Sequence, residues 1–181
     1  KMTTLPNGIR VCTESWESPI AAVGVYVDAG SRYETQDTCG TSHFLEHMCF
    51  KGTVKRPTAQ VISHELDALG CQYNAFTDHE MTGYYAKSDA KNFTKIFDVV
   101  SDIYLNSTFP EAEIQKEKGV IIAAKNMYED MPQRHVQDMF QEVLYGDQPA
   151  GWNIAGPKEN IRNMERVDFI KYKASHYVAE N

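Results

Sequence analysis

The sequence predicts an α+β fold, an antiparallel or mixed sheet with helices packed on one face, and three observations predict it. The apolar, β-branched run Ile20–Val27 is too short for a stable lone helix and ends at Asp28-Ala29-Gly30, as a buried strand does. Two aromatic-rich, roughly alternating segments, Gln72–Thr77 and Met81–Ala86, flank a turn near Asp78–His79 and read as paired strands. From Ala90 onward, helical segments follow one another. Strand, helix, hairpin and then helices in that order suggest helices layered on one sheet face.

Each element has its own local warrant. The opening Leu5–Val11 sets an Asn7-Gly8 turn before a short apolar stretch, a hairpin-type entry into a strand. Ser42 is a candidate N-cap for a helix that runs to about residue 51 and closes at Gly52. A second helix follows Thr58, covering Ala59 to Leu69 and ending at Gly70. The helix Ala90–Tyr104 carries Phe93, Ile96, Phe97, Val100 and Ile103-Tyr104 on one stripe. Pro110 opens another helix to about Tyr128, with Glu111 and Glu113 in the first turn, where they complement the dipole. Helices Gln133–Leu144 and Val167–His176 follow, separated by the turn-rich stretch Gly146–Gly156.

Composition narrows the function classes. Net charge is −7 over 181 residues, without a Lys/Arg-rich block, so nucleic acid is not the expected partner, because phosphate binding needs a concentrated basic surface. No apolar run reaches membrane-spanning length, and Lys1–Arg10 has no signal-peptide core. The four cysteines, Cys12, Cys39, Cys49 and Cys71, form no C-x-x-C pair and read as reduced thiols. The expected compartment is the cytoplasm, with the mitochondrial matrix as the alternative.

The chemistry concentrates in Thr41–Phe50. On a helix, His43 and His47 at i and i+4 project from one face and can grip one cation, and imidazole suits zinc. Glu46 lies on the same side, where its carboxylate can take a proton from a metal-bound water. The order H-x-x-E-H is the inverzincin signature. A five-residue pattern also arises by chance, and paired histidines occur in cores and on surfaces, so the surroundings must decide. His64, His79, His135 and His176 lack ligand-like spacing, and Cys49 reads as a packing residue.

Those surroundings resemble the pitrilysin family of zinc peptidases, which includes the mitochondrial processing peptidase subunits. The resemblance runs from Leu5-Pro6-Asn7-Gly8 through Gly30–Glu34, Gly40–Met48, Phe50–Thr53, Asn74–Thr77 and Glu117–Ile122 to Gly156–Ile161. It implies that His43 and His47 bind zinc, that Glu46 is the general base, and that Glu117 supports the site from the neighbouring helix. It also implies that Asn74, Ala75, Phe76 and Thr77 form an edge strand that pairs with an extended peptide. An ordinary interior strand is the other reading of that segment.

The pattern breaks at the third ligand. A catalytic zinc takes three protein ligands. The family's glutamate falls 77 positions after the second histidine; 47 + 77 gives 124, where Ala124 stands beside Ala123 and Lys125. Glu117 is two turns back and Glu129 points elsewhere, so neither is expected to substitute. An inactivated peptidase, an inactive paralogue kept as a partner subunit, or unusual ligation would each account for this, and the intact neighbourhood favours the first. The resemblance further implies that residues 1–181 form one domain, a quarter to a half of a longer or split protein. A second domain or homologous subunit then closes a chamber over the peptide substrate, and the isolated domain should be sticky or weakly oligomeric.

Overall fold

A computed structural model describes residues 1–15 and 17–181. Strands β1 (Met2–Thr4) and β2 (Arg10–Cys12) form a small antiparallel hairpin around Asn7-Gly8, as the turn chemistry predicts. The main sheet is antiparallel and three-stranded: β3 (Ile20–Val27), β5 (Thr82–Asp89) and β4 (Gln72–Thr77), with β5 in the middle. Alternation sorts its faces. Val23, Val27, Tyr84 and Ala86 point into the core, while Tyr26, Tyr85 and Phe76 point out.

Helices cover the inner face only. These are α1 (Thr41–Cys49), α2 (Ala59–Ala68), α3 (Phe93–Leu105), α4 (Glu111–Glu129), α5 (Pro132–Tyr145), α6 (Lys158–Asn163) and α7 (Arg166–His176). α3 lies across β3 and β5 and buries Ile96, Val99, Val100 and Ile103. Phe93 and Phe97, expected on that buried stripe, are about half exposed and stack on each other. The short helix α6 lies inside the stretch that the sequence reading left without an element.

α1 is positioned from three sides. Phe44, Leu45 and Met48 are fully buried, with the Phe44 ring 4.8 Å from that of Phe169 on α7. Burying each such side chain contributes about 1.5–3 kcal/mol. The loop that leaves α1 is held by Arg56, whose buried guanidinium bonds Glu65, Asp98 and Asp102 and so ties α2 to α3.

The N-terminus of α1 departs from expectation. Ser42 sits inside the helix, and the cap position is Gly40, at φ 96°. A Cβ there would come within 2.5 Å of the Ala155 carbonyl oxygen, so only glycine fits this left-handed, close-packed position. Without a capping side chain of its own, the helix takes its cap from Glu34, eight residues before Ser42. Its carboxylate accepts hydrogen bonds from Gly40 N (2.8 Å), Ser42 N (2.6 Å) and Ser42 Oγ (2.6 Å). A buried loop carboxylate therefore fixes where the following turn begins.

Candidate active site

The helix that Glu34 anchors carries the three motif residues. His43 and His47 stand one turn apart on α1, ring centroids 4.7 Å from each other. His47 Nδ1 lies 2.8 Å from Glu117 Oε1 on α4. A carboxylate only accepts, so Nδ1 donates, and Nε2 is the nitrogen that remains for a metal. Glu117 is buried and spends its other oxygen on Lys51 Nζ, 2.6 Å away. Burial pushes its carboxyl up, but the bonds from His47 and Lys51 outweigh this and hold it below the usual range. Glu117 thus holds the His47 ring in one orientation. Lys51 is a participant that the sequence reading quoted without assigning it a role.

His43 is partly buried, and its Nδ1, shielded from solvent, has no hydrogen-bond partner. Burial, together with the charge of His47, pushes the His43 imidazole down to about 4, so it stays neutral near pH 7. Neutral imidazole is the metal-binding form. Glu46 is also mostly buried, and desolvation raises its carboxyl against the lowering effects of His47 and a hydrogen bond from Thr77. That bond, Thr77 Oγ1 to Glu46 Oε2 at 2.9 Å, joins α1 directly to β4.

β4 is an edge of the sheet, paired with β5 alone. Asp78 N donates to Met81 O at 2.8 Å, which makes 78 and 81 a hydrogen-bonded pair. Alternating along the printed register, Phe76 and Asn74 bond inward to β5, while Thr77, Ala75 and Tyr73 turn their backbone groups to the open edge. In keeping with this, the Ala75 N–H is taken by the Asn74 side chain, 2.9 Å away. The turn beyond β4 is fastened as well: His79 bridges Ser31 Oγ (2.8 Å) and Gln141 on α5 (3.1 Å).

Helix spacing sets His43, Glu46 and His47 side by side, and the fold brings Glu117 to His47 and Thr77 to Glu46. They do not amount to a catalytic zinc site. The orphaned nitrogen of His43 and the oriented His47 suit a metal, yet no set of three or more His, Cys, Asp or Glu side chains is placed to hold one among the described residues. Ala124 offers no donor. Its neighbour Lys125 is only 15% exposed, and its Nζ donates to Asn153 Oδ1 at 3.2 Å. Glu129 is occupied by Lys158 and Lys125. Cys49 is buried against the Tyr84 hydroxyl, 3.4 Å away, in the packing role expected of it.

Fold and site together define a peptidase-type domain, an inverted H-x-x-E-H helix beside an open sheet edge. Residues 10–158 match the family model described as Insulinase (Peptidase family M16). The chain belongs to that family. It is 41% identical over 177 residues to the mitochondrial-processing peptidase subunit beta of Rattus norvegicus, covering 98% of this chain and 36% of that protein. The same subunit of Dictyostelium discoideum is 39% identical over 180 residues, covering 99% and 38%. The chain thus spans little more than a third of these relatives.

Among solved structures, a protease from Helicobacter pylori superposes with a TM-score of 0.93 at 25% identity, covering 100% of this chain and 44% of its own. A peptidase M16 inactive domain from Pseudomonas fluorescens shares the fold, with a TM-score of 0.86 at 16% identity, covering 96% and 42%. No helix among the described residues is long and apolar enough to cross a membrane.

Proposed function

We propose that this domain takes an extended peptide as an added strand along β4 and, with alanine at position 124, holds it without hydrolysing it. The observation that carries the reading is the Thr77–Glu46 bond, which joins an open sheet edge to a two-histidine site lacking its third acidic ligand. Strand addition draws affinity from main-chain bonds at Ala75 and Thr77, with the Asn74 side chain yielding the Ala75 N–H to the peptide, and Asn74, Ala75, Phe76 and Thr77 are the binding residues in this reading. Zinc is the metal the histidines suit. With a carboxylate restored at 124, His43 and His47 would hold it, and Glu46 would serve as the general base beside it.

The relatives are subunits of a processing peptidase by their names, which supports a partner domain or homologous subunit closing over the bound peptide. Those names also favour the mitochondrial matrix over the cytoplasm as the compartment.

Three measurements test the proposal side by side on this chain and on Ala124→Glu: zinc affinity by calorimetry after chelation, binding of a labelled unstructured peptide by anisotropy, and turnover of a quenched one. Tight zinc binding by Ala124→Glu alone, with peptide binding by both, is the expected result. Tight stoichiometric zinc or turnover in the chain as it stands would overturn the silent-site reading.

A further inference from the structure

The outward face of the sheet carries a feature that hydrolysis does not call for. Phe76, Gly83 and Tyr26 lie in one row across β4, β5 and β3. Gly83 leaves the middle of that row empty, and both neighbouring rings lean into the gap. A Cβ on Gly83 would meet Phe76 Cε1 at 2.5 Å and Tyr26 Cδ1 at 3.0 Å. The ring centroids are 6.3 Å apart, tilted by 52°. In the same way the tip of Tyr26 closes over Gly24, where a Cβ would meet its Cε2 at 2.7 Å. The rings cover the glycine backbone, yet Tyr26 stays 59% and Phe76 38% exposed. Beyond them a hollow of about 500 Å³ continues along the face, bounded by Tyr26, Tyr85 and Lys87.

We propose that this aromatic ledge is a side-chain subsite, taking an apolar residue of the peptide bound along β4; the proposal rests on the edge-strand reading above. Side chains of an added strand alternate between the two faces. Those on the inner face meet Thr77 and Glu46, and those on the outer face stand beside Asn74 and Phe76. Phe76 bonds inward to β5, so against an antiparallel added strand it occupies the closer, non-hydrogen-bonded type of pair, at a Cα separation of about 4.5 Å. The peptide side chain opposite Phe76 is thereby pressed onto the ledge, where apolar surface of both partners leaves water. The ledge would make the domain select peptides on the face away from Glu46, independently of the residues flanking any scissile bond.

The test compares binding of a labelled, all-polar unstructured peptide with that of the same peptide carrying one Phe or Leu, measured by anisotropy. The expected preference for the apolar peptide is about tenfold, the effect of burying most of one such side chain. Phe76→Ser and Tyr26→Ser should each erase most of that ratio, and Phe76→Leu should keep it. Tyr26 is on the far strand and contributes nothing to the edge, so its variant serves even if Phe76→Ser fails to fold. Equal affinity for both peptides, or a ratio unmoved by Tyr26→Ser, overturns the ledge and leaves the edge-strand reading intact. Failure of both peptides to bind overturns the two together.

Discussion

Removing the Glu34 carboxylate should unsettle the helix that carries the site, and the structure sets the size of the effect. Glu34→Ala strips three hydrogen bonds from a buried acceptor, leaving Gly40 N–H and Ser42 N–H without partners at the start of α1. Bonds to a charged group contribute about 1.5–3 kcal/mol each, and an acid at a helix N-terminus adds up to about 1 kcal/mol. Burial works against this: desolvation raises the Glu34 carboxyl above its ordinary 4.5 despite the bonds from Ser42 and Gly40. We therefore take the low end, a loss of about 3–4 kcal/mol, or about 10 °C in Tm for a chain of this length. Glu34→Gln keeps an acceptor oxygen and should lose about half as much. A raised carboxyl stabilises the fold most below its unfolded value and loses that contribution as pH rises through the folded value. The stability gap between wild type and Glu34→Gln should accordingly narrow above pH 4.5. Urea unfolding at several pH values reads all of this. A loss under about 1 kcal/mol for Glu34→Ala, with unchanged m, would refute the capping argument.

Arg56→Ala should cost about 3 kcal/mol, because it strands the buried Asp102 without its counter-charge; a urea midpoint near wild type would contradict this. Burial raises the Asp102 carboxyl, but bonds from Thr53, Asn106 and Arg56 outweigh it and leave it below 3.8. Its contribution is present above that value and lost as pH falls through the folded one, so Asp102→Asn should flatten the acid limb of the stability profile. Thr77→Val removes a bond that favours the Glu46 carboxylate, so the Glu46 carboxyl should titrate higher than in wild type in a carbon-detected NMR titration, and an unmoved titration would contradict this. On α5, Val136, Phe140, Val143 and Leu144 are all more than half exposed. Phe140→Ser with Val143→Asp should reduce self-association by light scattering while moving stability by less than about 0.5 kcal/mol.

The fold was legible wherever a pattern was local. Ile20–Val27 and Gln72–Thr77 announced themselves by β-branched and aromatic content, and both lie where expected. Asn7-Gly8 marked its hairpin by turn chemistry. What failed was inference from a stripe: Phe93 and Phe97 share helical spacing with Ile96 and Val100, but the buried face of α3 centres on Ile96, Val99, Val100 and Ile103, and the two rings lie on its flank, half exposed. Periodicity says which residues share a face, not how far the neighbouring surface extends. Likewise Ser42 has the chemistry of a cap, but a carboxylate from a preceding loop began the helix two residues earlier. Such a cap is tertiary and has no fixed spacing to read.

The site divides along the same line. His43, Glu46 and His47 are linked by helix geometry, so i and i+4 spacing was enough to place them together. Glu117 and Thr77 come from other elements, 70 and 31 residues away from their partners, and only family resemblance pointed to them. Resemblance also exposed the gap at Ala124, and geometry now explains why no neighbour fills it. Glu117 has both oxygens committed, and withdrawing Oε1 would release the His47 imidazole while withdrawing Oε2 would strand Lys51. Glu129 would have to abandon Lys158 and reach back more than a turn along α4. A carboxylate at 124 lies two turns after Glu117 on the same helix face, so it could meet the metal without disturbing that support. On the proposed reading, orienting a histidine and ligating the metal are separate jobs for two acids on one helix, and this chain carries a carboxylate only at the first of those positions.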